Sequence, residues 1–478
     1  MNIRMKKRVI ILVGLVLYGL ALTAAERPNI IIILNDDQGY QDLGCFGSPD
    51  IKTPRIDQLA EEGMRFTNFY VASPVCSASR AALLTGCYPH RVGVPSVFFP
   101  NRGHQGLAPD YVTIPEILKT VGYATKAIGK WHLGDELEFL PTNQGFDSYY
   151  GIPYSNDMFP SESMKYAYSC LYREGFTQKI LAANFEKRKL AKDRWGKEQP
   201  VHLKSKVPLM RNEECIEFPV DQTTITNRFT TEGINFISES AKNDKPFFLY
   251  LANSMPHIPL YASPQFKGQS ERGLYGDVIE EIDFNVGRIL DHLKKLNIRD
   301  NTIVIFSSDN GPWLSVGDDG GSALPLFEGK FSNFEGGQRV PAIIRWPAKV
   351  PAQSVCSEMA LSLDLLPTLA HITGAALPKN MSIDGKNIIH LITAEESAVT
   401  PHKYFFFGTS AVRSGNWKYH ASERFPAITT KRETKGSTLY NLIEDIGESN
   451  NVIREHPEIA DHLRKALDAH RSYLNGAG

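Results

Sequence analysis

Several common features are scarce in this sequence or missing from it. Six cysteines in 478 residues are too few for a disulfide-rich scaffold, and Cys170 with Cys215 is the one candidate pair that we consider. No internal repeat occurs, which excludes repeat architectures. The formal net charge of −1 supplies no overall positive field that would attract a nucleic acid. We therefore predict a globular protein without a nucleic-acid partner, in which local cations bind any anionic ligand.

Long hydrophobic runs are confined to the first 25 residues. This segment has four basic and no acidic residues, then an apolar stretch from Val9 to Leu22, then small residues, which is typical of a secretory signal peptide. The stretch is shorter than the roughly 20 residues of a membrane span, and an uncleaved anchor is the alternative. Cleavage near Glu26 would leave a net charge of −5. We predict an exported protein, periplasmic or secreted, without stable membrane insertion, and a lysosomal-type compartment is the alternative.

Short apolar runs that end abruptly in polar residues are the main structural signal. They span residues 29–37, 123–132, 246–257 and 302–311. Their apolar residues are consecutive rather than alternating, which indicates strands buried on both faces. Helix-like segments alternate with them, at residues 53–63, 113–122 and 275–296. The pattern predicts an α/β fold with a large, mixed, mostly parallel sheet flanked by helices.

The pattern changes from about residue 385, where short alternating pieces precede a final amphipathic stretch. We predict a large α/β domain over residues 26–384 and a small C-terminal subdomain of antiparallel sheet plus terminal helix over residues 385–478. Residues 160–215 are predicted to be an insertion. Its basic segment, residues 186–197, is interpreted as a solvated helix face, and the alternative is a lip that holds an anionic glycan.

Chemically capable side chains lie at the end of each apolar run. They are Asp36 and Asp37, Lys130 and His132, His257, and Asp309 and Asn310. Open α/β sheets bind ligands at the carboxyl ends of their strands, so these side chains should converge on one edge. Each one alone also fits a turn, a cap or a satisfied core residue. Their joint occurrence favours a single functional site.

The two acidic pairs offer only oxygen ligands. Asp36 and Asp37 follow one run, and Asp309 and Asn310 follow another. Such a set suits a hard cation such as calcium or magnesium and suits zinc poorly, because zinc prefers nitrogen and sulfur. We therefore predict a divalent cation at the centre of the site.

The segment "SPVCSASRAALLTG", residues 73–86, places Cys76 at the start of a predicted helix. Backbone N–H groups and the helix dipole favour negative charge there. Arg80 lies one turn further along the same face, so a nucleophile and a permanent cation would meet one anionic group. A small buried cysteine beside a surface arginine is the structural alternative.

This segment resembles the sulfatase signature, in which a cysteine is followed by proline or alanine two residues later, arginine four residues later, and then Leu-Thr-Gly. Further motifs of that family occur in the same order: "LNDDQGYQDLGCFG", "GKWHLG", "QGFDSYYGIPYSND", "PHIPL", "SSDNGP", "EGKFSNFEGGQRVP", "DLLPTL", "WKYH" and "LYNLIED". The sequence is similar to the type I, formylglycine-dependent sulfatases, and "GIPYSND" favours their arylsulfatase A-like branch. The resemblance implies the alkaline phosphatase superfamily fold and the activity of a sulfuric ester hydrolase.

The resemblance also implies cofactors and roles for individual residues. Cys76 would be oxidised to Cα-formylglycine by a maturation enzyme. The implied calcium ligands are Asp36, Asp37, Asp309, Asn310 and the modified Cys76. The implied catalytic residues are Cys76, Arg80, Lys130, His132, His257 and Lys330. The implied substrate-binding residues are Lys130, Ser155, His257 and Lys330. Ala78 stands where the family more often has proline, which leaves the maturation system open.

Aldehyde chemistry then suggests a mechanism for a sulfate ester, either an aryl sulfate or a sulfated glycan. One hydroxyl of the hydrated aldehyde attacks sulfur, and the leaving alcohol takes a proton from His257 or Lys330. His132 removes the proton of the other hydroxyl, so the sulfated hemiacetal collapses to sulfate and aldehyde. Two alternatives remain open: a phosphate or phosphonate ester hydrolase of the same superfamily, and a non-catalytic relative that binds sulfated glycans.

Overall fold

The computed structural model describes residues 27–190, 203–421 and 436–476. The predicted signal peptide and part of the basic segment lie outside these ranges. The strands are β1 (Asn29–Asn35), β2 (Met64–Phe66), β3 (Phe69–Tyr70), β4 (Ala124–Lys130), β5 (Ser148–Ile152), β6 (Lys165–Tyr172), β7 (Leu209–Arg211), β8 (Glu214–Phe218), β9 (Phe247–Ala252), β10 (Thr302–Ser308), β11 (Ala342–Arg345), β12 (Ser354–Cys356), β13 (Ala360–Leu361), β14 (Phe405–Phe407), β15 (Ala411–Ser414), β16 (Trp417–His420) and β17 (Thr438–Asn441). The helices are α1 (Pro54–Glu61), α2 (Cys76–Thr85), α3 (Ile114–Lys119), α4 (Gln178–Leu190), α5 (Ile225–Lys242), α6 (Leu274–Lys295), α7 (Glu335–Gln338), α8 (Leu365–Thr373), α9 (Ile389–Ile392) and α10 (Pro457–Gly476).

An 11-stranded sheet forms the body of the protein, in the order β12-β2-β11-β10-β1-β9-β4-β5-β7-β8-β6. The four predicted apolar runs became β1, β4, β9 and β10, which are neighbours in the order β10-β1-β9-β4 and pair in parallel. Strands β11 and β7 pair antiparallel with their neighbours, so the sheet is mixed. The predicted fold class is confirmed.

Strand β1 shows why consecutive apolar residues are needed at the centre of this sheet. Ile30 and Ile32 pack into one hydrophobic cluster, whereas Ile31 and Ile33 pack into another. All four side chains are fully buried, because helices cover both faces of the sheet. Among the helices of the described residues, none combines the length and the hydropathy of a membrane span.

The insertion contributes more to the sheet than the sequence suggested. Strands β7, β8 and β6 extend one edge, and the sequence pattern did not predict them. The basic segment begins within α4, and its remainder lies outside the described residues. The Sγ atoms of Cys170 on β6 and Cys215 on β8 are 3.9 Å apart, and both cysteines are free thiols. The candidate pair is therefore adjacent in space but not bonded.

The C-terminal part forms a four-stranded antiparallel sheet, β14-β15-β16-β17, with α10 packed against it. Buried charges join this sheet to α7 and β3. Glu335 of α7 accepts hydrogen bonds from Lys418 Nζ on β16 at 3.0 Å and from the Tyr70 hydroxyl at 2.5 Å. Glu448 pairs with the same Lys418 at 3.0 Å and with His420 at 2.9 Å. We call these five residues the junction cluster.

Candidate active site

The carboxyl ends of the central parallel strands meet at one edge of the sheet and carry the predicted polar side chains. Each of these side chains is at most 3% exposed, so they share a buried pocket. Lys130 ends β4, and the others follow the strands: Asp36 and Asp37 after β1, His132 after β4, His257 after β9, and Asp309 and Asn310 after β10. The structure therefore brings the residues from all four predicted runs together.

Cys76 is the first residue of α2, as predicted, and its thiol faces two carboxylates. One ligand atom each from Cys76, Asp36 and Asp309 lies within 4.8 Å of the others. Burial raises the pKa of the Cys76 thiol, although Lys130 and Lys330 oppose this effect. The helix N-terminus adds partial positive charge at the same point. The side chain at position 76 is thus held between anionic and cationic groups.

The oxygen atoms around Cys76 have the character of an incomplete cation site. Asp36 Oδ1 and Asn310 Oδ1 are buried and have no hydrogen-bond partner. Burial and the neighbouring Asp36 carboxylate raise the pKa of Asp309. Buried carboxylates so close together need a positive partner, and an all-oxygen set fits a hard divalent cation such as calcium. The residues present therefore fit the ion that the sequence predicted.

Two fixed cations face these carboxylates. Arg80 donates to Asp309 through Nε at 2.9 Å, and its Nη1 donates to the Lys130 carbonyl at 2.8 Å. Lys130 Nζ is 2.6 Å from Asp36 Oδ2 and 3.2 Å from Ser155 Oγ. All of these side chains are at most 1% exposed. Low dielectric strengthens their interaction with any anion that enters.

His132 is oriented by the backbone. Its φ of 64° is unusual for a residue other than glycine, and its Nε2 is 2.9 Å from the Phe98 carbonyl oxygen. A carbonyl only accepts, so Nε2 carries the proton and Nδ1 has a free lone pair. Nδ1 is buried and has no partner among the described residues. Burial and the charge of Lys130 lower the pKa of His132 well below its usual value, so the ring is a neutral base.

His257 and Lys330 meet at Asp37. Lys330 Nζ is 2.7 Å and His257 Nε2 is 3.6 Å from Asp37 Oδ2. Burial and the charge of Lys330 lower the pKa of His257 to about 4. Burial alone would lower the pKa of Lys330, but the charge of Asp37 raises it overall. Lys330 and His257 therefore share one carboxylate on this side of the pocket.

An aromatic pair closes this side, and sequence reasoning missed it. Lys330 Nζ lies 4.7 Å from the ring centre of Trp313, and the ring centres of His257 and Trp313 are 5.5 Å apart. Phe331 packs edge-on against Trp313 at 5.4 Å, with an unusual φ of 71°. The only signal in the sequence was a tryptophan directly after the motif "SSDNGP".

Gly129 explains part of the motif "GKWHLG". Its φ is +100°, and a Cβ there would lie 1.8 Å from the carbonyl oxygen of Ala252 on β9. Only glycine permits this close approach of two strands at the end where the site lies. Lys130 follows Gly129 as the last residue of β4, and its side chain enters the pocket. The turn that carries His132 begins directly after it.

Comparisons with known proteins agree with this geometry. The sequence model of the family described as "Sulfatase" matches residues 28–375, and that of "N-sulphoglucosamine sulphohydrolase, C-terminal" matches residues 325–473. The chain is 36% identical to human (Homo sapiens) arylsulfatase A over 457 residues, which cover 90% of this chain and 84% of that protein. It is 34% identical to N-acetylgalactosamine-6-sulfatase of Sus scrofa over 491 residues, with 94% and 86% covered.

A solved structure is similar over nearly the whole length. The crystal structure of Ps i-CgsB in complex with k-i-k-neocarrahexaose aligns with a TM-score of 0.74 and 32% identity, covering 93% of this chain and 92% of that one. The family match spans most of the chain and includes every residue placed in the pocket. The chain therefore belongs to the sulfatase family and is a sulfatase, an enzyme that hydrolyses sulfuric esters.

Proposed function

We propose that this sulfatase acts on sulfated carbohydrate and uses Cα-formylglycine formed from Cys76 together with a calcium ion. The observation that carries the proposal is the placement of Cys76 at the start of α2, within 4.8 Å of the Asp36 and Asp309 carboxylates. Calcium would be held by Asp36, Asp37, Asp309, Asn310 and the modified residue 76. Calcium and formylglycine together would supply a polarised hydroxyl nucleophile at the start of α2.

The side chains around residue 76 are suited to bind a sulfate group. Lys130 and Lys330 provide two ammonium groups, and Ser155 provides a hydroxyl 3.2 Å from Lys130 Nζ. Their burial excludes water and strengthens attraction to the sulfate oxygens. Arg80 is already bound to Asp309, so it acts mainly by fixing that carboxylate. Recognition of the sulfate therefore rests on the two lysines and Ser155, with His257 beside them.

Proton transfers can be assigned to stated atoms. Neutral His132 can accept a proton at Nδ1, because its Nε2–H is committed to the Phe98 carbonyl. The leaving alcohol can receive a proton from Lys330 Nζ, which is 2.7 Å from Asp37, or from His257 once its ring is protonated, because the neutral His257 ring directs its Nδ1–H at the Ile258 carbonyl 2.6 Å away. Asp37 would stabilise whichever of these two groups is charged. Separate Lys330→Met and His257→Gln variants, compared on leaving groups of different basicity, distinguish the two donors.

The substrate class rests on the relatives. The structural neighbour Ps i-CgsB was crystallised with k-i-k-neocarrahexaose, and a close relative in sequence is an N-acetylgalactosamine-6-sulfatase. We extend this class to the present chain as a sulfated glycan. We also propose export to the periplasm or exterior, maturation by a formylglycine-generating enzyme, and the division into residues 26–384 and 385–478.

The first test examines residue 76 directly. Mass spectrometry of the tryptic peptide that ends at Arg80 should show the aldehyde in place of the thiol after expression with a maturation enzyme. The purified protein should then hydrolyse an aryl sulfate much faster than the matching aryl phosphate. A preference for the phosphate would favour a phosphate or phosphonate ester hydrolase. An unmodified thiol and no turnover would favour a glycan-binding relative.

A further inference from the structure

A second cavity lies beside α10 and is lined by that helix, by the segment from Pro401 to Phe406 and by residues near Tyr88 and Asp384. It has a volume of about 710 Å³, and we call it the junction cleft. The residues of its lining that matter here are Lys386, Lys403, Tyr404, Lys465, His470 and Tyr473. Tyr88 also lines it, just beyond the C-terminal end of α2. Cys76 begins that helix, whose ten residues span about 15 Å. The junction cleft is therefore distinct from the active site.

Positive charge is concentrated in the junction cleft, although the chain as a whole is close to neutral. Within the part of the chain that the structure describes, neither Lys386 nor Lys403 has an acidic partner within ion-pair distance. Lys465 pairs only with the half-exposed Asp461, at 2.7 Å. The acidic group in the lining, Asp384, is already neutralised by Arg91 at 2.6 Å. The cleft thus presents ammonium groups to an incoming anion.

Aromatic rings lie beside these ammonium groups. Lys403 Nζ lies 5.2 Å from the ring centre of Tyr404. Tyr473 on α10 is 45% exposed and has the Arg91 guanidinium 5.2 Å from its ring centre. The Tyr404 hydroxyl is 2.8 Å from His462 Nε2, which fixes that ring. Flat, partly exposed rings can pack against the apolar C–H face of a sugar. Rings next to lysines match a sugar that carries anionic groups.

His470 supplies an independent sign of a ligand. Its ring is 7% exposed and stacks on Phe406 with centres 3.9 Å apart. Its Nε2 is buried and has no hydrogen-bond partner among the described residues. Buried polar atoms in folded proteins nearly always have a partner, so an unpartnered one in a cleft indicates an absent group. A sugar hydroxyl can either donate to this nitrogen or accept from it.

We propose that the junction cleft is a second binding site, which holds an anionic saccharide segment of the same sulfated chain whose ester is cleaved at Cys76. The inference rests on the proposed function, because it assumes a polymeric sulfated substrate. When one segment of the saccharide is bound in the cleft, the effective concentration of the adjoining sulfated sugar units at the active site is raised. The site thus lowers KM for long substrates and leaves small ones unaffected.

The test separates the two sites. Binding of hexasaccharides from κ-carrageenan and from chondroitin 4-sulfate is measured by calorimetry on the full chain carrying Cys76→Ser and Lys130→Ala, which disable the active site. Adding Lys386→Ala and Lys403→Ala should weaken the remaining binding about tenfold, since each surface charge contributes modestly. Tyr473→Ala should weaken it as well. The matched control, Lys267→Ala with Lys349→Ala, removes two exposed lysines elsewhere and should change nothing.

Kinetics on the mature enzyme provide the second readout. The Lys386→Ala, Lys403→Ala variant should keep its kcat/KM for 4-nitrophenyl sulfate, while KM for a sulfated polymer rises several-fold. Unchanged saccharide binding in this variant would overturn the second site even if aryl sulfate is hydrolysed normally. Binding of phosphatidylglycerol vesicles without saccharide binding would overturn it too. Absence of aryl sulfate hydrolysis by the unaltered enzyme would instead refute the proposed function, and saccharide binding in the cleft would still be measurable.

Discussion

The active-site pocket and the junction cluster are both buried groups of charges, yet they differ in how completely their atoms are paired. In the junction cluster, Glu335 and Glu448 each have at least two partners between 2.5 and 3.0 Å. In the pocket, Asp36 Oδ1, Asn310 Oδ1 and His132 Nδ1 have none within the described ranges. Fully paired polar atoms hold two parts of a fold together, whereas unpartnered ones indicate where a ligand binds.

The electrostatics of the two regions differ in the same way. Burial alone would raise the pKa of Glu335, but Lys418 and Arg413 lower it to about 2. In the pocket, burial and Asp36 leave the pKa of Asp309 raised. Carboxylates in the junction cluster are thus stabilised as anions by the protein itself. In the pocket, Lys330 and His257 overcome burial and lower the pKa of Asp37, so the unpartnered Asp36 Oδ1 and the raised pKa of Asp309 mark the side where a further cation fits.

The largest expected effect concerns activity at residue 76. Cys76→Ala should reduce aryl sulfate hydrolysis by at least about 10⁴-fold, because the nucleophile is lost, with little change in melting temperature. The measurement pairs initial rates with thermal unfolding. Cys356→Ala, which removes another buried thiol, should keep full specific activity. Residual activity in Cys76→Ala near the level of the unaltered enzyme would refute the assignment.

The junction cluster should show the opposite response, a loss of stability. Lys418→Met keeps the volume but leaves Glu335 and Glu448 without their shared cation, so we expect a loss of about 3–5 kcal/mol in the free energy of unfolding. Urea unfolding measures it. Lys465→Met on the exposed face of α10 should cost less than about 1 kcal/mol. Equal losses in both variants would remove the distinction between the two regions.

The third prediction concerns the stability that calcium binding gives to the active-site pocket. Calcium at one hundred times its dissociation constant should stabilise the protein by about 2.7 kcal/mol, and a chelator should remove this gain. Asp309→Asn should abolish the calcium-dependent gain in stability, because the substitution removes the charge of one ligand. Asp461→Asn on the exposed surface should retain it. A calcium effect that persists in Asp309→Asn would place the ion elsewhere.

The smallest predicted effect concerns His470, the unpartnered histidine outside the active site. Burial, with the nearby charges of His90 and Arg91, lowers its pKa from 6.5 to about 4. Between these values the unfolded chain binds more protons, so stability is present above pH 6.5 and is lost as the pH falls towards 4. We expect His470 to account for a loss of about 2 kcal/mol between pH 8 and pH 5.

Urea unfolding measured between pH 8 and pH 5 tests whether His470 causes this loss of stability. His470→Phe should keep the stack on Phe406 and reduce the loss of stability between pH 8 and pH 5 by about 2 kcal/mol. His371→Phe, a control on the exposed face of α8, should preserve it. An unaltered slope in His470→Phe would show that another group titrates.

Part of the site could be predicted from the sequence because local chemistry determined it. Four apolar runs gave four adjacent parallel strands, and polar residues at their ends necessarily shared one edge. Cys76 at the start of α2 followed from the helix pattern. Strands β6 to β8 were not predicted, because they pair at a sheet edge with weak patterns of their own. Trp313 was missed because its role depends on the position of Lys330.

The sequence by itself determined which segments are buried on both faces and which residue types end them, since apolar periodicity and turn chemistry act over a few neighbouring residues. Only the tertiary structure decided which charges are paired. Arg80 meets Asp309 across 229 positions and Lys418 meets Glu335 across 83, and no local pattern encodes such partners. The difference between a fully paired cluster and a site that keeps unpartnered polar atoms is therefore a property of the folded chain.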